Sequence, residues 1–422
     1  MDLTFPDGFL WGTATAAHQV EGDNRNSDWW AWENRPGSPV AEPSGAAIEQ
    51  FTRYADDIEL LASLGLNTYR YSIEWARVEP AEGTFDPAAL DHYRSVTEAV
   101  ISAGMVPMVT LNHFTLPVWL GARGGWMSPD APGLFARYCA RVTAALGDLV
   151  DWYCTINEPG IVAFGGYLGA LDFPPGTTDM ASWHSAIVGL RNGHRQGLAA
   201  VKETRPEARV GATHSMAEWD PSDAGRPIAD YLRHQMEDVF FEVCDDDDFI
   251  GVQTYTRIRL DVPAPGRPLV RALTGQDFLK SRLLPSIIRR RSRLGGEGPK
   301  GVRTTDMGYE WRPRAVAATV RRVAGVLPGK DIVVTEHGIA TTSDPDRIEF
   351  IGAGLAALHE VVADGIPLRG YLHWSAFDNF EWALGYRMQF GLIAVDRATQ
   401  TRTVKPSGTF FGGIARTNRL SA

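Results

Sequence analysis

The sequence predicts an α/β protein of eight strand–helix units, and three observations carry that prediction. Short runs rich in β-branched and aromatic residues alternate with longer stretches whose apolar residues recur at helical spacing, and the alternation repeats eight times. No linker of Pro, Gly and Ser and no close internal repeat divides the 422 residues, so residues 1–422 are expected to form one domain. The composition, 44% hydrophobic and 22% charged, can fill a large core. Eight such units build either a closed parallel (β/α)8 barrel or an open doubly wound sheet, and periodicity leaves both open.

The first strand is expected at Phe9–Thr15, followed by a helix whose apolar face is Phe51, Tyr54, Ile58 and Leu61. Strands are then predicted near Asn67–Ile73, Val106–Asn112, Trp152–Glu158 and Arg209–Ser215, where β-branched and aromatic residues suit a pleated surface. Their helices start near Ala88, Pro132, His184 and Arg226. The last strands fall near Phe249–Tyr255, Ile332–Glu336 and Leu368–Ser375, with helices from about Arg312 and Arg347 and after Lys405.

Charge narrows the function. With 41 Lys and Arg against 51 Asp and Glu the net charge is −10, which argues against a nucleic-acid footprint over the whole surface. No run of about 18 apolar residues could span a bilayer. The opening Met1-Asp2-Leu3-Thr4-Phe5-Pro6-Asp7 lacks the basic start and apolar stretch of a secretory signal, so the expected location is cytoplasmic. Cys139, Cys154 and Cys244 form no CxxC pair and read as buried reduced thiols. One stretch departs from the acidic balance: Val262–Arg303 carries ten basic residues against Asp277 and Glu297. In a βα loop after the sixth strand it would flank the carboxyl-end mouth, whereas a solvated loop or an oligomer contact explains it equally well.

Two glutamates stand where chemistry is done in a parallel barrel. Glu158, in Thr155-Ile156-Asn157-Glu158-Pro159, and Glu336, in Thr335-Glu336-His337-Gly338, end predicted strands, and the carboxyl ends of barrel strands face the site-forming loops. Pro159 has no N–H to extend the strand and Gly338 permits a turn. Two carboxyls about 5–5.5 Å apart are the apparatus of retaining glycoside hydrolysis, one as nucleophile and one protonating the leaving oxygen. Most of the 51 acidic residues must instead be ordinary solvated side chains.

Further motifs accompany the two glutamates: Phe9-Leu10-Trp11-Gly12-Thr13-Ala14-Thr15-Ala16 with Gln19, Arg70-Tyr71-Ser72-Ile73, His113 with Leu116-Pro117, and Trp374-Ser375 with Asp378-Asn379-Phe380-Glu381-Trp382. Taken together, these motifs resemble glycoside hydrolase family 1, the β-glucosidase family, over essentially the whole chain. The resemblance implies a closed (β/α)8 barrel and retention of configuration, with Glu336 as nucleophile and Glu158 as acid/base. It implies that Tyr255 and Arg70 hold the nucleophile ionised. It further implies a ring of sugar-binding groups from Gln19, His113, Asn157, Trp374, Glu381 and Trp382, with Asn157 at the 2-hydroxyl. The substrate class implied is a small β-glycoside or oligosaccharide, β-glucosides first and β-galactosides or β-fucosides next, with no cofactor and no metal. Oligomerisation is left open.

Several positions depart from the family pattern. His337 stands in place of the usual Asn, Gln253 in place of an Asn two residues before Tyr255, Phe114 in place of a Trp and Glu74 in place of a Ser. These bear on glycone preference. Glu381 disfavours a phosphorylated glycone by charge, and Glu158 separates the chain from the thioglucosidases, which lack that carboxylate. From other classes, Gly352-Ala353-Gly354-Leu355-Ala356-Ala357 fits a dinucleotide fingerprint but falls inside a helical pattern, and a sugar-binding barrel without turnover would have no need of both glutamates.

Overall fold

A computed structural model describes residues 2–261 and 301–421. The basic segment therefore lies outside the described residues except at its end, where Arg303 pairs with Asp346 and Glu349 and covers the Trp311 ring at 3.4 Å.

Eight parallel strands close on themselves, which decides between barrel and open sheet. They are β1 (Leu10–Ala14), β2 (Thr68–Ser72), β3 (Val106–Asn112), β4 (Trp152–Asn157), β5 (Arg209–Trp219), β6 (Phe249–Ile258), β7 (Asp331–His337) and β8 (Leu368–Trp374). The closing seam pairs Leu10 with Gly370 through Ala14 with Trp374. Outside run α1 (Gln50–Ser63), α2 (Pro87–Ser102), α3 (Ala131–Leu146), α4 (Met180–Thr204), α5 (Arg226–Arg233), α6 (Ala315–Val326), α7 (Asp344–Ala363) and α8 (Pro406–Thr417). Among the described residues no helix is long and apolar enough to cross a membrane.

The helix starts explain themselves locally. Asp179 accepts a hydrogen bond from the Ser182 N–H at 2.9 Å, so α4 begins before the apolar periodicity does. Asp86 caps α2 with Pro87 in its first turn. On α1, Ile58 and Leu61 are buried as the periodicity requires, and Asp57 is buried beside them because Arg402 meets it at 2.7 Å.

Interior side chains Met108, Cys154, Phe249, Val333 and Leu372 form a cluster inside the barrel. Above it, two strands slip phase. On β4, Cys154 pairs with Gly211 and Asn157 with Thr213, so three steps on β4 match two on β5. On β7, Val334 pairs with Val252 and Glu336 with Gln253, two steps against one. Each extra residue is a β-bulge, and it turns a side chain inward that strict alternation would send outward. Thr155 and Ile156 both meet α4, at His194 and beside Gly193, while Cys154 and Asn157 face the interior.

His337, the residue after Glu336, faces α7. Its ring stacks on Phe350 at 4.7 Å, and a Cβ on Gly354 would lie 2.5 Å from its Cε1. Gly354 is thus a close helix–strand contact inside α7, and the glycine fingerprint opens no helix.

Candidate active site

At the carboxyl end of the barrel one cavity is lined by Glu158 and Glu336 together. Asn157 and Glu158 are consecutive yet both face it. Extended backbone would send them to opposite sides; Glu158 instead takes a left-handed φ of 46°, its N–H donating to the Thr213 carbonyl at 2.8 Å, and Pro159 opens a short helix.

Glu336 is almost enclosed by donors. Arg70, fully buried on β2, gives Nη1 to Oε1 at 2.7 Å, and Tyr255 on β6 gives its hydroxyl to Oε2 at 2.6 Å. Gln253, one β6 period earlier, gives Nε2 to Oε1 at 2.9 Å. Burial pushes the Glu336 carboxyl upward, and the Arg70 charge and the Tyr255 and Arg70 hydrogen bonds pull it back.

Asn157 is oriented by the same groups. Its Oδ1 accepts from Arg70 Nη2 at 2.5 Å, Gln253 Nε2 at 2.8 Å and Thr213 Oγ1 at 2.9 Å. A guanidinium can only donate, so this oxygen is identified by its partner and Asn157 Nδ2 must face His113 Nε2, 3.1 Å away. Nε2 then accepts, and the His113 proton sits on Nδ1, a buried atom with no protein partner. Burial, then the Arg70 charge, holds this imidazole well below its ordinary pKa.

Glu158 lives in a different environment. Among the described residues no guanidinium or phenol bonds it; burial and then the neighbouring Glu336 charge push it well up, with a Ser215 hydrogen bond and the Arg70 charge opposing. Glu381 is raised to about 8 by burial and by Glu336. The sequence argument that Glu381 repels phosphate by charge is weakened accordingly. Among the described residues lining the cavity none is Lys or Arg, so a phosphate would find no counter-charge there.

Of the ten residues expected in the site, eight line the cavity: Glu158, Glu336, Tyr255, His113, Asn157, Trp374, Glu381 and Trp382. Arg70 stands behind Glu336, and Gln19 is buried with Nε2 on the Phe380 carbonyl at 2.7 Å. Trp374, whose peptide bond to Ser375 is cis, stacks near-parallel to His113 at 5.7 Å, and Trp382 lies 6.1 Å from the same ring. Gln19 Oε1, His113 Nδ1 and Glu381 Oε2 are buried without partners among the described residues. Orphaned polar atoms of this kind cost about 1–3 kcal/mol each, and a polyhydroxylated guest would satisfy them.

The departures from the family pattern separate by position. Only Phe114 borders the cavity. His337 turns to α7, Glu74 caps the Ala76 N–H at 3.1 Å and accepts from Thr115 Oγ1, and Gln253 is spent on Glu336 and Asn157. Sequence reasoning missed Thr213 and Ser215, inward-facing on β5, and Gln253 as a partner of the nucleophile candidate. Period-two alternation from Tyr255 would have pointed Gln253 inward. The fold also gathers His194, Cys244 and Asp247 with candidate ligand atoms within 4.8 Å. These already engage one another and the chain: His194 bonds Thr155 and Asp247 at 2.8 Å, and Asp247 accepts from the Ala212 N–H.

Known proteins resemble this chain over nearly its whole length. The model of glycosyl hydrolase family 1 matches residues 1–244 and 242–420. The thermostable β-glucosidase B of Thermobispora bispora is 33% identical, covering 99% of this chain and 92% of that protein. A bifunctional β-D-glucosidase/β-D-fucosidase of Bifidobacterium breve is 30% identical over 96% of this chain and 97% of its own length. The crystal structure of a β-glycosidase 38% identical superposes with a TM-score of 0.84, covering 99% of this chain and 98% of that one.

Proposed function

The chain belongs to glycosyl hydrolase family 1, and from that membership we propose that its Glu336 and Glu158 perform a retaining hydrolysis of β-glycosides in two steps. The enzyme is a glycoside hydrolase acting on O-glycosyl bonds. One observation supports the division of roles: donors converge on Glu336 from Arg70, Tyr255 and Gln253, whereas Glu158 has the like charge of Glu336 as its strongest electrostatic neighbour. An ionised nucleophile beside a protonated acid is the state the first step requires.

In that step a Glu336 oxygen attacks the anomeric carbon while the bond to the leaving oxygen breaks and that oxygen takes the Glu158 proton. The glycosyl ester carries no charge at Glu336, so Glu158, now ionised, loses the repulsion that raised it. It can then take a proton from water as that water attacks the anomeric carbon and returns Glu336 as carboxylate. Two displacements at one carbon restore the original configuration.

The substrate we assign is an unphosphorylated β-glycoside, β-glucosides first and β-galactosides or β-fucosides next. The unpartnered atoms of Gln19, His113 and Glu381 support a hydroxyl-rich glycone, and Trp374 and Trp382 offer flat apolar faces for its C–H surfaces. The test is a panel of chromogenic β-glycosides with graded leaving groups on the wild type, Glu336→Gly and Glu158→Ala. Glu336→Gly is expected to lose turnover with every substrate. Glu158→Ala is expected to keep far more activity when the leaving group is already acidic. Equal damage to Glu158→Ala across the panel would refute the assignment.

A further inference from the structure

We infer that Gln253 is a positioning residue that locks the nucleophile to the group reading the 2-hydroxyl. The inference rests on the retaining reading above. Arg70 and Gln253 bridge the same two acceptors, Glu336 Oε1 and Asn157 Oδ1, from different strands, closing a ring of four side chains from β2, β4, β6 and β7.

The orientation of the Gln253 amide follows without any appeal to how its atoms were assigned. Arg70 only donates, so the Asn157 atom facing it is the carbonyl oxygen, and Glu336 offers oxygens alone. The Gln253 atom lying 2.8 Å and 2.9 Å from these two oxygens must therefore be nitrogen. Both its hydrogens are used. The remaining Gln253 Oε1 is left buried with no partner among the described residues. A reversed amide would set oxygen against two oxygens, so the arrangement keeps two donors in the site at the expense of an unpaired acceptor.

The length of the side chain is also put to use. An asparagine on the same backbone is one methylene shorter and would hold its amide up to about 1.5 Å further from the two acceptors. With its oxygen held by three donors, the Asn157 amide nitrogen is directed away from the carboxylate, toward His113 and the cavity. Any movement of Gln253 thus changes Glu336 and Asn157 together.

The experiment uses the full-length enzyme, with 4-nitrophenyl β-D-glucoside and its 2-deoxy analogue, on wild type, Gln253→Met and Gln253→Asn, with melting curves for each. Methionine keeps the bulk and removes the donors. We expect kcat/KM for the glucoside to fall about 10- to 100-fold in Gln253→Met. Its acid limb should move up by about one pH unit, because the nucleophile loses a hydrogen bond to its charged form. The preference for glucoside over 2-deoxyglucoside should fall about threefold or more, and Gln253→Asn should lie between. If Gln253→Met does not fold, Gln253→Asn is judged by the same two shifts. Lost activity with neither acid limb nor 2-hydroxyl preference moved, or wild-type activity in the variants, would overturn the positioning role while leaving the retaining reading intact. A wild type that turns over no β-glycoside would overturn both.

Discussion

Replacing Arg70 by methionine tests the electrostatics of the site at its source. The side chain is fully buried, and its Nη1 is 2.7 Å from Glu336 Oε1. Removing one partner of a buried ion pair costs about 3–5 kcal/mol, because the survivor is left charged in a poor solvent. With unfolding entropy of about 2.1 cal/mol/K per residue, 422 residues give about 0.9 kcal/mol/K, so that cost corresponds to a melting point lower by about 3–6 °C. The pH dependence carries the discriminating sign. Burial already raises Glu336, and Arg70 is the largest influence opposing it, so the folded-state pKa climbs further in the variant. A carboxyl raised above its unfolded value of about 4.3 contributes stability that is present below that pH and lost as pH rises. The melting gap between variant and wild type should therefore be small near pH 4.5 and widest near pH 8. The acid limb of kcat/KM should move up, and activity at pH 7 should fall by about two to three orders of magnitude. Arg70→Lys keeps the charge without the fork and should shift the limb less. Equal melting gaps at both pH values with an unmoved acid limb would refute the reasoning.

Two further outcomes follow from particular contacts. A Cβ at Gly354 would press to 2.5 Å on His337, so Gly354→Ala should destabilise by about 1–3 kcal/mol and lower activity through the strand that carries Glu336, as read by melting and assay. Gly352→Ala, two residues away on the same helix, would meet Phe410 at 3.7 Å and should be neutral or stabilising by about 0.5–1 kcal/mol. Glu381, raised to about 8, should ionise at alkaline pH, and KM for a neutral β-glucoside should then rise above that point in wild type. Glu381→Gln should lack the rise; a KM profile identical in both enzymes would count against the neutral form as the binding one.

The barrel was legible because its signals are local. Apolar periodicity and β-branched runs mark the strands, and caps such as Asp179 shift helix starts by only a few residues. β5 runs on to Trp219 and β6 to Ile258, beyond the predicted Ser215 and Tyr255, since the two strands continue to pair with each other past a further register shift between Met216 and Glu218. The glutamates were legible through motif and position at strand ends. What periodicity could not supply is which way side chains turn at the bulges: alternation from Cys154 puts Ile156 inward and Asn157 outward, and the inserted residue reverses both. His337 and Gln253, read from sequence as bearing on the glycone, turn out to serve a helix contact and the Glu336 carboxyl.

Those two insertions also define how such a scaffold can go silent. A single amino acid lost from the regular stretch of strand below either bulge would reverse the facing of every residue beyond it and turn one carboxyl out of the chamber, whereas the same loss inside the bulge, between Cys154 and Asn157 or between Val334 and Glu336, would restore plain alternation and leave that carboxyl facing in. A descendant that lost one outside the bulge would retain its barrel and part of its sugar-sized hollow, and would have surrendered its chemistry to an arithmetic of one.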